Sequence, residues 1–469
     1  MIYLIGAGPG DSGLLTLRGL EVLKKSEVVI YDRLVGEGVL ALIPDSAERI
    51  DAGKSLGAHN LSQEKINELL INFARAGKTV ARLKGGDPFL FGRGGEEAEA
   101  IIKAGLEFEI VPGVSSALAV PAWAGIPVTH RNFCAGVNIF TAHDKNNLLP
   151  DFQSASQIFL MGVAHAEELE KKLLSSLSPD TPCAIISQGT TSRQQVIRTR
   201  LENLSSSAKK ISPPAIIITG RVSELNLNWR KTLPLNNKRI LITRPEGRGE
   251  TLAEKLRDNG AEVILMPTIK TKKISGALKN KNLSGYDFIG FTSVTGVENF
   301  FELLSDEGRD VREIGLAKLA AIGQATASAL RARGLRVDYV PEIFDGKNLA
   351  EGLVKKSPEK ILMLRALNGS PEISEVFEKN KISCDEICIY QIDFVKLTHI
   401  PKFIDTIIFT SASTVRSFAE SVDYMRDVKA VCIGEQTAAE ARGLGFKFIT
   451  IAKRATVEAI FEAVLSCWQ

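Results

Sequence analysis

Cysteine is scarce, with six residues in a chain of 469. A chain of this length can bury a core of its own, so six thiols do not make a disulfide scaffold. Only Cys384 and Cys388 stand close together, and no second Cys or His pair lies near enough to complete a zinc site. Buried free thiols and no metal centre are expected. An excess of one charge is missing too, because 58 Lys plus Arg against 55 Asp plus Glu leave a net charge of only +3. That balance gives no case for nucleic acid or an anionic membrane as the main partner, so any anion site must be local. No apolar run reaches the roughly 18–20 residues that a membrane span needs. The opening Met1-Ile2-Tyr3-Leu4-Ile5-Gly6 has no basic start and breaks at glycine, unlike a signal peptide, and a soluble, cytoplasmic protein is expected. Hydrophobic residues at 44% and charged residues at 24% exclude a mostly disordered chain, and the length suggests about three domains.

The first half alternates apolar runs with helical spacing. Tyr3 to Ile5, Val28 to Tyr31 and Thr79 to Leu83 read as strands, and Leu14 to Lys25 and Ser62 to Ala76 as helices. This rhythm predicts an α/β fold with a largely parallel sheet. Polar residues with Trp229 and Pro234 break it between Leu225 and Lys238, and Arg239-Ile240-Leu241-Ile242-Thr243 then starts afresh. We therefore place one unit at 1–232, a linker at 233–237 and a second unit at 238–469, each expected to fold and act alone. The second unit repeats itself. Phe291-Thr292-Ser293 returns as Phe409-Thr410-Ser411, Ile322-Gly323-Gln324-Ala325-Thr326 as Ile433-Gly434-Glu435-Gln436-Thr437, and Arg239 to Arg244 as Lys360 to Arg365. Three echoes in one order predict two related α/β lobes facing a cleft.

Gly6-Ala7-Gly8-Pro9-Gly10-Asp11 follows a strand and precedes a helix, where glycines admit a ligand to the backbone and a helix start favours anions. Asp32 ends the second strand as a ribose-binding acid would. A dinucleotide fingerprint wants glycine at the position of Asp11, which leaves a nicotinamide oxidoreductase as the weaker enzyme alternative. Kinase-type phosphate loops fail because Glu48 and Asn72 stand where their first glycine would be. The densest motif runs from Arg82 through Lys84-Gly85-Gly86-Asp87-Pro88-Phe89-Leu90 to Gly92-Arg93-Gly94-Gly95-Glu96-Glu97. Val111-Pro112-Gly113-Val114-Ser115-Ser116 and Gly125 to Arg131 follow in the same style.

On these four motifs the first half strongly resembles the uroporphyrinogen-III C-methyltransferases of the tetrapyrrole methylase family, over about residues 1 to 230. The resemblance implies a two-subdomain methylase fold, S-adenosyl-L-methionine as methyl donor with S-adenosyl-L-homocysteine as product, and a homodimer through this half. It places Pro9, Gly85, Gly86, Asp87, Leu90, Ser115, Ser116, Met161 and Gly189 at the cofactor. It makes Asp32 the proton acceptor and Lys54 the proton donor, and sets Arg93, Glu96, Arg131 and His143 near the tetrapyrrole. Leu160 departs from the family, which commonly has tyrosine there. The residue types suit the chemistry, since transfer to carbon needs alignment and then a base such as Asp32 or Glu96 to take the ring proton. Arginines suit a substrate rich in carboxylates. Plain roles stay open, with Asp32 as a loop cap, Lys54 solvated and His143 a satisfied polar group.

The repeated strand ends of the second half carry Thr292, Ser293, Gly323, Thr326, Ser411, Ser413, Gly434 and Thr437. Singly each is an ordinary helix cap, and together they suggest donors for a polyanion. Residues 238 to 469 resemble uroporphyrinogen-III synthase on Phe409-Thr410-Ser411 and Ile433 to Ala438. The resemblance implies a bilobal α/β fold whose first strand packs with the C-terminal lobe. It gives Tyr390 a part in the departure of the substrate hydroxyl, against a plain role as a half-buried strand aromatic. The two resemblances imply a bifunctional enzyme that closes hydroxymethylbilane to uroporphyrinogen III with loss of water, then methylates it twice to precorrin-2, on the sirohaem or cobalamin branch. The non-enzyme alternative is a two-lobed tetrapyrrole-binding protein.

Overall fold

The computed structural model describes residues 1–53, 61–134, 136–141, 155–245, 249–367, 369–397 and 400–468. Strands β1 (Ile2–Gly6), β2 (Val28–Tyr31), β3 (Glu48–Asp51), β4 (Val80–Lys84) and β5 (Phe108–Val111) form one sheet in the order β3-β2-β4-β1-β5. Every pair in it is parallel. Its strands alternate strictly between two cores. Ile2, Leu4, Val28, Ile30 and Val80 face the helices Gln63–Arg75 and Gly94–Lys103, while Ile5, Val29, Ala81 and Leu83 face Leu17–Lys24 and Glu37–Leu40. Each such fully buried aliphatic side chain contributes about 1.5–3 kcal/mol. The helix expected from Leu14 begins instead at Leu17. Asp11 caps a separate turn at Ser12–Leu14, and the hydroxyl of Thr16 accepts the Gly19 N–H at 3.1 Å, starting the helix afresh.

A second, mixed sheet follows, with β6 (Gly136–Thr141), β7 (Ala155–Leu160), β8 (Pro182–Ser187), β9 (Gln195–Arg200) and β10 (Ala215–Thr219) in the order β6-β7-β10-β8-β9. Helix Ser116–Trp123 packs on it through Ala117 and Val120, and Leu160 is buried in that same core. The N-terminal half is therefore two sheets in series. Residues 225–238 contain neither helix nor strand.

Ten strands follow in chain order: β11 (Arg239–Ile242), β12 (Glu262–Leu265), β13 (Ile269–Lys273), β14 (Phe288–Phe291), β15 (Lys318–Ala321), β16 (Lys360–Ala366), β17 (Ser383–Phe394), β18 (Thr406–Phe409), β19 (Lys429–Cys432) and β20 (Ile449–Ile451). They make two sheets, β12-β11-β18-β19-β20 and β13-β17-β16-β14-β15. The repeat in the sequence is a repeat of topology. The run β11-β18-β19 in one sheet matches β16-β14-β15 in the other, and helix Val457–Ser466 answers Gly346–Val354. The lobes are interleaved, since β11 pairs with β18, far along the chain, as the resemblance implied. Where the chain crosses between lobes, β13 and β17 run antiparallel from Ile269 opposite Phe394. Beside this pair Thr268 is buried, and its carbonyl accepts from Val395 N at 2.9 Å and from the Ser417 hydroxyl. Among the described residues no helix is long and apolar enough to cross a membrane, and no cluster of His, Cys, Asp and Glu could hold a metal ion.

Candidate functional site

In the N-terminal half the loops after β1, β4, β5 and β8 converge. Open α/β sheets hold their ligands at this end, beyond the carboxyl ends of the strands. Gly8 and Gly86 exchange backbone hydrogen bonds, Gly86 N to Gly8 O at 2.7 Å and Gly8 N to Gly86 O at 3.2 Å, and both have positive φ. A Cβ on Gly6 would fall 2.5 Å from Gly113 Cα, and one on Gly113 would fall 2.3 Å from the Gly86 carbonyl oxygen. These glycines are thus required by three turns packed on one another as well as by any ligand. In front of them there is room, because a Cβ on Gly86 would meet nothing closer than Ser116 N at 3.8 Å.

Asp87 ties the turns together, accepting from Phe89 N at 2.8 Å and from Gly113 N at 3.0 Å. Ser115 caps helix Ser116–Trp123 by accepting the Ala117 N–H at 3.2 Å, and Ser116 is its first residue. Leu90 leans on the core of the second sheet, as does Gly189, where a Cβ would strike Val120 at 2.4 Å. Beyond Gly189, Thr190 is 1% exposed and its hydroxyl accepts the Asp11 N–H at 3.3 Å, so the loop after β8 rests on Pro9-Gly10-Asp11. The Asp11 carboxyl stands above its ordinary range, chiefly because it is buried. Phe91, Arg93, Met161, Gln188 and Thr190 all have φ between 49° and 65°. Non-glycine residues held in this region concentrate at ligand clamps and switch segments.

Beneath the loops lies a buried charged cluster. Glu97 is 0% exposed, and its Oε1 accepts from Arg82 Nε at 2.9 Å, Lys84 Nζ at 2.8 Å and Gln63 Nε2 at 3.1 Å. Arg82 also donates to Asp32, whose second oxygen lies 3.9 Å from Lys84 Nζ. Burial, and then the charge of Arg82, push the Lys84 ammonium below its ordinary value. Asp32 retains 34% side-chain exposure, so the cluster presents one carboxylate outward on two buried cations. Arg82, Lys84 and Glu97 were inside the motif but not singled out by the sequence. The signal was there, since Arg and Lys two residues apart in an otherwise apolar strand share one face and must be paired if buried.

Arg93, with φ 60°, and Glu96 form an exposed two-pronged pair at 2.8 and 2.7 Å. Met161 and Arg131 are exposed. Lys54 and His143 lie outside the described residues.

In the C-terminal half the candidate residues divide between the lobes. Thr292, Ser293, Gly323, Thr326 and Tyr390 belong to the sheet of β14–β17, and Ser411, Ser413, Gly434 and Thr437 to that of β18–β20. Ser293 caps its helix by accepting Gly296 N at 2.8 Å, and its oxygen is also 2.8 Å from the Tyr390 hydroxyl. Tyr390 is 5% exposed, buried more deeply than a half-buried strand aromatic. Ser411 accepts the Thr414 N–H and pairs with Ser413 at 2.8 Å. Thr326 and Thr437 are 3% and 4% exposed, enclosed in the first turns of their helices. Gly434 faces open space, and a Cβ there would meet nothing within 4 Å.

Known proteins bear on both halves. The family model of tetrapyrrole (corrin/porphyrin) methylases matches residues 1–205, and that of uroporphyrinogen-III synthase HemD matches residues 250–462. The porphyrin biosynthesis protein HemD of Ruminiclostridium josui is 37% identical over 99% of this chain and 97% of its own length. The uroporphyrinogen-III C-methyltransferase of Bacillus subtilis is 36% identical over 72% of this chain and 73% of that protein. A solved structure of uroporphyrin-III C-methyltransferase from Thermus thermophilus with S-adenosylhomocysteine is 39% identical, covering 47% of this chain and 97% of its own, with a TM-score of 0.42.

Proposed function

We propose that this chain, which belongs to the family of the porphyrin biosynthesis protein HemD and joins a tetrapyrrole methylase to a uroporphyrinogen-III synthase, performs two consecutive reactions. It is an enzyme of tetrapyrrole biosynthesis with both activities, and S-adenosyl-L-methionine is its methyl donor. In our reading residues 238–469 close hydroxymethylbilane to uroporphyrinogen III with loss of water. Residues 1–232 then methylate two ring carbons to give precorrin-2, which feeds sirohaem or cobalamin. The observation that carries the reading is that both units share one chain, and the first product is the second substrate. A homodimer through the methylase half and a cytoplasmic location complete it.

The residues present fit the donor. When bound, S-adenosyl-L-methionine supplies an electrophilic methyl on a sulfonium. Gly86 and the start of helix Ser116–Trp123 leave open space for it, and Pro9, Gly85, Asp87, Leu90, Ser115, Ser116, Met161 and Gly189 surround it in our assignment. Alignment supplies much of the rate of a displacement at carbon. Asp32 takes the ring proton, and Arg82 and Lys84 beneath it hold its carboxylate in place, aimed outward. Arg93 and Arg131 hold substrate carboxylates, Arg93 by exchanging Glu96 for the ligand. In the synthase half Ser293 orients the Tyr390 hydroxyl, which assists the leaving hydroxyl, and the half-buried hydroxyls of Thr292, Ser411 and Ser413 grip carboxylates of the linear tetrapyrrole.

Incubating the full chain with hydroxymethylbilane and S-adenosyl-L-methionine should give a macrocycle bearing two added methyl groups by mass. A linear or unmethylated product would refute the corresponding half of the reading. Binding of NAD in place of S-adenosyl-L-methionine would favour the oxidoreductase alternative.

A further inference from the structure

The two halves meet on an ion-pair chain that ends in the loops of the methylase site. Arg239, the first residue of β11, is 7% exposed. Its Nη1 donates to Glu37 Oε2 at 2.8 Å and to the Lys402 carbonyl at 2.7 Å, and its Nη2 lies 2.9 Å from Glu262 Oε1. Glu262, on the neighbouring strand β12, is 8% exposed and gives its other oxygen to the methylase half, where Ser192 N donates to it at 2.7 Å. Around this chain Lys402 N donates to Glu37 Oε1 at 3.2 Å, Lys270 pairs with Asp45 at 2.7 Å, and the Arg193 guanidinium stacks 3.7 Å from the Phe403 ring centre.

Glu37 and Ser192 stand at informative places. Glu37 follows Gly36, whose absent Cβ would overlap the Gly10 carbonyl oxygen at 2.0 Å. Ser192 lies two residues past Thr190, which holds the Asp11 N–H. The synthase half thus grips the two segments that press on Gly10 and Asp11 from either side. The buried Glu262 carboxylate and Arg239 guanidinium hold fixed geometry, because each loses far more by separating than exposed partners do. A loop held in place before its ligand arrives also spares the ligand the cost of ordering it.

We propose that Glu262 and Arg239 of the synthase half are positioning residues for the methylase, bracing its cofactor loops so that S-adenosyl-L-methionine binds more tightly with the synthase half docked than to the methylase unit acting alone. This rests on the assignment of those loops to the cofactor. The synthase half is then a structural part of its neighbour's active site. Neither residue belongs to the groups assigned to hydroxymethylbilane.

The test compares the full-length wild type with Glu262→Ala by calorimetric titration of S-adenosyl-L-methionine, by KM and kcat of methyl transfer, by hydroxymethylbilane cyclisation, and by amide exchange at Ser192. The brace requires Glu262→Ala to raise Kd and KM about 5- to 30-fold, a difference of about 1–2 kcal/mol. It also requires an unchanged kcat at saturating donor, cyclisation within two-fold of wild type, and faster exchange at Ser192. Should Glu262→Ala fail to fold, Glu37→Ala removes an Arg239 partner from the methylase side and should weaken the donor likewise. A variant that binds the donor as tightly as the wild type would overturn the brace alone. A wild type that does not bind it would overturn the cofactor assignment, and the brace with it.

Discussion

The resemblance implies that Asp87 is a cofactor contact, and the structure shows it as a fastener. Its two oxygens hold the backbone of the turn after β4 to that after β5, so Asp87→Ala should cost about 1–3 kcal/mol of stability, because two N–H groups lose a charged acceptor. The same variant should weaken S-adenosyl-L-methionine binding. Arg93→Ala should leave stability within about 0.5 kcal/mol, since its pair with Glu96 is exposed, while raising KM for the tetrapyrrole. Thermal unfolding and titration of both ligands on both variants would separate the two roles. Glu97→Gln should be more damaging than either. It leaves Arg82 and Lys84 facing Asp32 alone in a buried site, a loss of about 3–5 kcal/mol measurable by denaturant unfolding. Tyr390→Phe should lower synthase turnover and shift product toward the uninverted ring isomer, with methyl transfer untouched, as chromatography of the isomers would show. The strand-end glycines and the serine caps were legible because their chemistry is local. Thr190 was not, because its role is set by a contact with Asp11 that sequence spacing does not reveal, and the spacing of Arg82 and Lys84 called for a buried partner without saying that it is Glu97.

Elements with a full apolar run, such as β2 and β4, could be read directly, whereas β3 was missed. It is an edge strand of Glu48-Arg49-Ile50-Asp51, whose polar residues carry no apolar alternation, and only pairing with β2 defines it. The repeat in the second half could be read as two lobes because its motifs sit at equivalent strand ends. Asp287, just before β14, shows how such elements are pinned. It accepts from Glu359 N at 2.7 Å and Lys360 N at 2.9 Å, and these bonds hold its carboxyl below the ordinary 3.8. A lowered folded value means that the stabilisation is whole above 3.8 and is lost as pH falls through the lowered value. Asp287→Asn should therefore lower stability at neutral pH and flatten the acid limb of the unfolding profile, with the two proteins converging at low pH.

At the scale of the whole molecule, the interleaving of the two C-terminal lobes governs the order in which the protein can be made. Ile240 of β11 pairs with Thr406 of β18, 166 residues later, so β11 emerges from the ribosome on the order of ten to thirty seconds before its central partner. The sheets of residues 1–219 and the lobe built from β13–β17 can close in the meantime, and the lobe that carries Arg239 and Glu262 must close last. A released chain truncated after residue 400 should show a protected methylase half and a protected β13–β17 lobe under limited proteolysis, with residues 239–265 open to cleavage. The seam between the halves would then form only once β18 has been translated. Synthesis itself would act as a timer, keeping the methylase from full donor affinity until the enzyme that supplies its substrate is complete.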